Sequence, residues 1–316
     1  MKKMLIVGGA GYLGGYMADI FDARDDYEVT VYDNLLFEDR YLKNMKFIYG
    51  DIRDAKKLAS IINGYDVVVW LAALVGDGAC AINVQATEEF NCGTVRWLVD
   101  NYKNGTIIFT SSCSVYGMNS DLIDEGAAPN PLSAYAATKL QAEKYIIENV
   151  KDYVIFRLGT LYGIGDTYSR LRFDLVVNVL VMKAIMGESL AVFGGQQWRP
   201  ILHVRDVAHT VEHCLDNNVR GLFNVSERNV LIAELAEEIK RLIPGTNIVY
   251  QELKFEDLRD YRVKNDKLLS TGWKNRFTLE QGILEMSRVF SEIRVKNMGD
   301  PLYSNVAYLK SINFQG

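Results

Sequence analysis

The run MLIVGGAGYLGG at residues 4–15 constrains this chain most: apolar, strand-forming residues stop abruptly in glycines. Glycines 8, 11 and 14 read GxxGxxG, and the apolar, helix-compatible YMADIF follows. Such an opening requires a strand that turns tightly into a helix. The same strand signal returns in EVTVYD, MKFIYGD, DVVVWLAAL, TIIFTSS and YVIFRLG, each separated from the next by helix-compatible sequence. That alternation predicts right-handed βαβ units and a parallel sheet covered on both faces.

The expected fold is therefore α/β, a Rossmann-type doubly wound parallel sheet with a smaller C-terminal α/β substrate lobe. After residue 158 the alternation loosens. LRFDLVVNVLVMKAIMG and LIAELAEEIKRLI read as helices; SLAVFGG, ILHV and GLFNVS read as short strands. The expected division is a dinucleotide-binding domain over 1–158 and a mainly substrate-binding lobe over 159–316, with segments near 200–225 returning to the first domain.

In such a fold the glycine turn lets backbone N–H groups approach a pyrophosphate at the positive end of the following helix. Asp33 ends the second strand, nineteen residues after Gly14, where a carboxylate accepts hydrogen bonds from an adenosine ribose. The same charge repels a 2′-phosphate, so the expected cofactor is NAD rather than NADP. Asp51 follows the third strand and either takes the adenine amino group, with Ile52 against the ring, or caps a helix, as Asp54 could equally do.

Ser111 and Ser112 end the fifth strand, at the sheet edge where α/β folds bind ligands. Tyr135 and Lys139 lie four apart in AYAATKLQAEKY, so both leave one face of a helix. A free phenol, with a pKa near 10, is a poor base at neutral pH. A lysine ammonium one turn away, together with a positive nicotinamide, favours phenolate. Tyr135 is then expected as the base for a carbinol, Ser112 as the group holding the reacting oxygen, and Lys139 as a partner of both the phenol and the nicotinamide ribose. Arg199, in the glycine-containing loop GGQQWRP, suits a bidentate phosphate contact, and Arg259 is a second candidate.

Composition excludes other classes. The 316 residues carry a net charge of −5 with scattered lysines and arginines, so neither nucleic acid nor an anionic membrane is the expected partner. The four cysteines form no CxxC pair and read as reduced thiols of a cytoplasmic protein. The apolar run at residues 4–7 is too short for a signal peptide, and VVVWLAALVG and LVVNVLVMKAIM fit a buried strand and a core helix, not membrane spans. His209 and His213 sit one helical turn apart without a third ligand in view, so no metal is expected.

Over almost its whole length the sequence resembles the extended short-chain dehydrogenase/reductases that act on nucleotide sugars, a group that includes UDP-galactose 4-epimerase. GGAGYLG, YDN, GDIRD, LAAL, TEEFNCGT, FTSSCSVYG, YAATK, FRLGTLYG, FGGQQWRPILHVRDVA and DYRVKNDK carry the resemblance in order. It implies Gly8, Gly11, Tyr12, Leu13, Gly14, Asp33, Asn34, Asp51, Ile52, Leu71, Ala72, Ala73 and Ser111 around NAD, with Asn91 beneath it. It implies Ser112, Tyr135 and Lys139 as catalytic, and Thr160, Asn178 and Arg199 as contacts to the sugar or its phosphates. Members that remove water across C5–C6 place an Asp and a Glu after the serine; here Cys113 and Ser114 stand there.

The implied activity is nucleotide-sugar epimerisation, by transient oxidation at C4. The alternatives are a dehydrogenase or 4-keto reductase of the same family, for example on a GDP-heptose, and an inactive NAD-binding protein. Leu74-Val75 replace the leucine and lysine found after LAA in UDP-galactose 4-epimerase. Family members pair through the helices represented by TEEFNCGTVRWLVDNY and YAATKLQAEKYIIENV, which implies a homodimer. A monomeric mass by light scattering refutes that expectation.

Overall fold

A computed structural model describes residues 1–252 and 259–316. Among the described residues the strands are, in chain order, β1 (Lys2–Val7), β2 (Tyr27–Asp33), β3 (Lys46–Tyr49), β4 (Val67–Trp70), β5 (Thr106–Ser112), β6 (Met118–Ile123) and β7 (Tyr153–Leu158). There follow β8 (Thr160–Tyr162), β9 (Leu190–Phe193), β10 (Trp198–His203), β11 (Gly221–Val225), β12 (Arg228–Leu231), β13 (Ile248–Gln251) and β14 (Asp260–Val263).

The main sheet runs β3-β2-β1-β4-β5-β7-β11, with every neighbouring pair parallel. The chain builds outward from β1 through β2 to β3, then crosses back to begin the other half at β4. Val7 is in register with Tyr32 on one side and Trp70 on the other, so three carboxyl ends align at this reversal. A crevice opens there, as the topology of doubly wound sheets requires.

Apolar side chains cover both sheet faces. One face packs Met4, Ile6, Val29, Val31 and Val69 against the helix Gly14–Asp22; the other packs Leu5, Val7, Val68 and Trp70 against helices between residues 55 and 146. Buried strands with apolar residues pointing both ways explain why β1 and β4 read as continuous hydrophobic runs. Between β7 and β11 the chain leaves the sheet for residues 159–220 and forms β8, β9 and β10. A separate core, with Val177, Val181, Ile201, Leu235 and Ile283, lies in that second region. β11 then returns to pair with β7, and the helix Val204–Asp216 packs on Gly14–Asp22.

Two further details position the site. The helices Val84–Glu88 and Thr94–Asn101 are joined by a π-helical turn over Glu89–Gly93 that contains the buried Asn91. The helix Ala134–Asn149 starts at Ser133, whose hydroxyl accepts the Ala136 N–H at 3.2 Å. This cap fixes the first turn, where Tyr135 sits.

Candidate active site

A cavity of about 820 Å³ lies over the carboxyl ends of the main sheet and continues to the second region. Each glycine of the opening turn has a different reason to be one. Gly8 has φ of +85°, and an added Cβ there would lie 2.5 Å from the Ala72 nitrogen. At Gly14 a Cβ would lie 2.5 Å from the Gly9 Cα, so this glycine lets the start of the helix pack directly on the turn. At Gly11 the nearest atom to an added Cβ is the Gly8 oxygen, at 3.8 Å. Packing does not demand glycine at 11, yet the residue lines the cavity. A methyl group there would occupy the cradle itself, as expected where backbone must approach a pyrophosphate.

Asp33 stands at the rim of this cradle. Its two carboxylate oxygens accept the N–H groups of Ala10 (3.0 Å) and Leu35 (2.8 Å). Burial pushes its pKa above the usual carboxylate value, and the backbone donors work against that shift. The Ser111 hydroxyl is a buried polar group without a hydrogen-bond partner and belongs to the cavity wall. The bare turn, the rim carboxylate and the orphaned hydroxyl fit a dinucleotide.

Of the residues expected around the site, Gly8, Gly11, Tyr12, Leu13, Asp33, Asn34, Ile52, Leu71, Ala72, Ala73, Ser111, Ser112, Tyr135, Lys139, Thr160, Arg199 and Arg259 line this one cavity. Four others lie behind its wall. Gly14 is covered by the turn. Asp51 is engaged by the Arg53 side chain (3.0 Å) and by Asn34 (3.1 Å), while Asp54 is the residue that caps a helix, accepting the Lys57 N–H at 3.0 Å. Asn91 accepts the Leu74 N–H (2.8 Å) and donates to the Leu74 carbonyl (2.9 Å), so it holds the loop after β4 from beneath. Asn178 is 1% exposed; it donates to the Tyr12 hydroxyl (3.2 Å) and the Arg172 carbonyl (2.9 Å) and accepts the Gly163 N–H (2.9 Å). It braces the wall, and its side chain does not reach the cavity as a substrate contact would.

The Ser112 oxygen accepts from both the N–H (3.1 Å) and the hydroxyl (2.9 Å) of Ser114. Its own proton is thereby left to point elsewhere, and the Tyr135 phenol is close enough to feel it. Lys139, 2% exposed, donates to the Thr110 carbonyl at 2.9 Å and lies over the Phe109 ring at 4.7 Å. Here the electrostatics depart from the expectation of a phenol lowered by its lysine. Burial raises the Tyr135 pKa well above its ordinary value, the Cys80 thiol adds to the rise, and Ser112 and Arg172 only oppose it. Burial likewise pulls Lys139 down to about 8, with Cys80 and Glu143 opposing. A low-dielectric site disfavours both charges, and the ammonium's hydrogen bond goes to a backbone carbonyl.

Sequence reasoning assigned no role to four further charged residues of the cavity wall. Arg170, Arg172, Asp174 and Asp77 all line the cavity. Arg172 donates to Asp174 through two nitrogens, at 2.6 and 3.1 Å. Burial pushes Asp174 up, but Arg172 outweighs it and holds the carboxyl below its usual range. Asp77 accepts the Ser133 hydroxyl (2.7 Å) and pairs with Arg259 (3.2 Å), which ties the helix carrying Tyr135 to the second region. Arg199 donates to the carbonyls of Trp198 and Arg259. The arginines and aspartate of RLRFD, just before an apolar helix, were the available signal for Arg170, Arg172 and Asp174.

Other expectations concern residues elsewhere. His209 bonds Tyr16 and Glu212, and His213 bonds Thr271; among the described residues no cluster could hold a metal ion. The four cysteines are free and buried. No helix among the described residues is long and apolar enough to cross a membrane.

Residues 4–226 match the NAD dependent epimerase/dehydratase family, and the chain belongs to it. It is an enzyme and its cofactor is NAD. A relative from Methanocaldococcus jannaschii, provisionally named UDP-glucose 4-epimerase, is 30% identical over 299 residues, covering 89% of this chain and 95% of its own. A UDP-N-acetyl-alpha-D-glucosaminuronate decarboxylase of Bacillus cytotoxicus is 26% identical over 92% of this chain and 98% of its own. Among solved structures, UDP-glucuronic acid 4-epimerase of Bacillus cereus, in complex with UDP-glucuronic acid and NAD, superposes with a TM-score of 0.80. It is 22% identical, with 92% of this chain and 99% of that one covered.

Proposed function

We propose that this member of the NAD-dependent epimerase/dehydratase family is a nucleotide-sugar 4-epimerase. One observation carries the reading: a single cavity joins the glycine cradle, the Ser112–Tyr135–Lys139 group and an arginine-bearing far end, with no carboxyl group at positions 113 and 114. Cys113 is fully buried and its thiol donates to the Arg157 carbonyl, so that position offers no acid to a sugar. Removal of water across C5–C6 is thereby disfavoured. Oxidation and re-reduction at one carbon needs only what is present.

In this reading Ser112 fixes the C4 oxygen and Tyr135, once ionised to phenolate, takes the hydroxyl proton as the carbon becomes a ketone, then returns it. When bound, NAD supplies a hydride acceptor that can give the hydride back, and its oxidised ring carries positive charge that the buried phenol otherwise lacks. Lys139 holds its place against Thr110, presenting a cation or a neutral amine beside the phenol according to pH. Arg199 and Arg259 hold the diphosphate, which keeps the nucleotide fixed while the ketose turns. The relative from Methanocaldococcus jannaschii supports a UDP-sugar as substrate.

The test is incubation with UDP-, dTDP-, GDP- and CDP-sugars, followed by mass and NMR analysis. An isomer of unchanged mass, inverted at C4, is expected. A net change of two hydrogens would instead make the chain a dehydrogenase or reductase.

A further inference from the structure

Residues 301–316 pack against the cavity wall on the side of the loop that follows Asp33, with Val306 in the wall itself. We infer that this segment is a strap that retains NAD from one turnover to the next, with Asn305 as its positioning residue; the inference rests on the family's cofactor being NAD. The cavity wall here is assembled from loops far apart in sequence: Phe37 and Glu38 after β2, Val75 to Gly78 after β4, and Arg170 to Asp174 from the second region. No covalent neighbour links them. Asn305, 0% exposed, does. Its backbone N–H donates to Asp174 (2.9 Å), its side-chain amide donates to the Val75 carbonyl (2.8 Å), and its side-chain oxygen accepts from Arg170.

Neighbouring contacts extend the knot. Arg170 also donates to the Leu302 carbonyl at 2.6 Å, its backbone N–H donates to Glu38 at 3.1 Å, and its guanidinium lies 4.3 Å from the centre of the Phe37 ring. Phe37 in turn meets Tyr308, with ring centres 5.6 Å apart. Val306, beside Asn305, is itself part of the cavity wall. A Cβ added to Gly78 would sit 3.0 Å from a Val306 methyl, so strap and loop pack closely. Leu309 is fully buried and anchors the segment in the core under the sheet.

A dinucleotide leaving this end must part loops that this knot joins. Several buried or part-buried hydrogen bonds, two of them from the Arg170 guanidinium, must break together and leave polar groups unpaired. Slow exchange suits a reaction that returns its hydride to the sugar and works against one that consumes a fresh cofactor each cycle.

The experiment measures exchange of bound NAD against isotopically labelled NAD in the full chain, with no sugar present, and records the thermal midpoint of each variant. Wild type should retain NAD through gel filtration, and Asn305→Ala should release it about tenfold faster or more. Tyr308→Ala cuts the ring contact without touching the buried amide; it should also speed exchange, and it decides the matter if Asn305→Ala does not fold. Rapid exchange in wild type, or variants that fold and exchange at the wild-type rate, would overturn the strap. Retained NAD with a two-hydrogen change in the sugar would instead break the epimerase reading and leave the strap standing.

Discussion

The two ends of the cavity are built by different means. The end under β1, β2 and β4 is made by backbone: a bare glycine turn, strand ends in register, and one carboxylate whose oxygens are already held by two amides. The far end is made by long charged side chains, Arg199 and Arg259, from separate segments, the second of them paired with Asp77. Backbone walls tolerate almost no change in shape, whereas side-chain walls can be rewritten residue by residue. A common cofactor can thus remain while the sugar varies.

The largest effect should come from the glycines, which divide the backbone end into fold and cradle. Gly8→Ala must adopt φ near +85° and push a Cβ against the Ala72 backbone, so the variant should lose several degrees of thermal midpoint or fail to fold. Gly11→Ala meets only the Gly8 oxygen, at an unstrained 3.8 Å, and should keep the wild-type midpoint while losing NAD affinity by about tenfold or more. Calorimetric titration and a thermal melt separate the two. Equal melting with equal NAD affinity in Gly11→Ala would mean that the cradle is not where a pyrophosphate lies.

The middle of the cavity, where the two ends meet, comes next. Tyr135→Phe should lower kcat by roughly 10²–10⁴ on the active sugar, because it deletes the acid–base group and keeps the ring. Near-wild-type turnover would remove Tyr135 from the chemistry.

Lys139 gives a pH signature that needs no substrate. Burial lowers its pKa from 10.5 to about 8, so the folded chain releases this proton before the unfolded chain does. Below about pH 8 both forms are charged, and the folded state bears the full cost of the buried ammonium. Between about 8 and 10.5 the unfolded chain binds more protons, so stability rises with pH. Against Lys139→Met, wild type should gain up to about 3 kcal/mol over that window. Chemical denaturation of the cofactor-free protein at several pH values reads the difference; a difference that stays flat would place the amine in water.

The same division explains what the sequence made legible. The glycine turn, Asp33, Ser112 and the Tyr135–Lys139 pair are local signals, each fixed by a strand end or one helical turn, and they meet in space because the βαβ order brings strand ends together. Asp77 and Asn305 carry no such signal. Their roles arise from contacts spanning 56 residues between Asp77 and Ser133, and 230 between Asn305 and Val75. Asn178 and Asp51 stand behind the wall for a related reason: a motif gives the position along the chain, whereas neighbours such as Tyr12 and Arg53 decide which way a polar side chain turns. The Tyr135–Lys139 spacing was legible, but desolvation was not, and desolvation sets the direction of both pKa shifts.

The smallest expected effect tests whether charge, as well as shape, matters at the backbone end. Asp33 should make NAD bind about tenfold tighter than NADP, because a 2′-phosphate would meet a carboxylate at close range. Asp33→Ala removes that repulsion together with the ribose contact, so NAD should weaken while NADP holds steady or improves, and the ratio should fall toward one. The amides of Ala10 and Leu35 lose their acceptor in this variant, which shifts both cofactors alike and leaves the ratio a clean readout. Because burial raises the Asp33 pKa, its charge is lost at a higher pH than an ordinary carboxylate's, and the wild-type preference should fade on acidification sooner than an exposed carboxylate would allow. Titration of both cofactors at a series of falling pH values follows this directly. A ratio that Asp33→Ala leaves unchanged would mean that the backbone end selects its cofactor by shape alone.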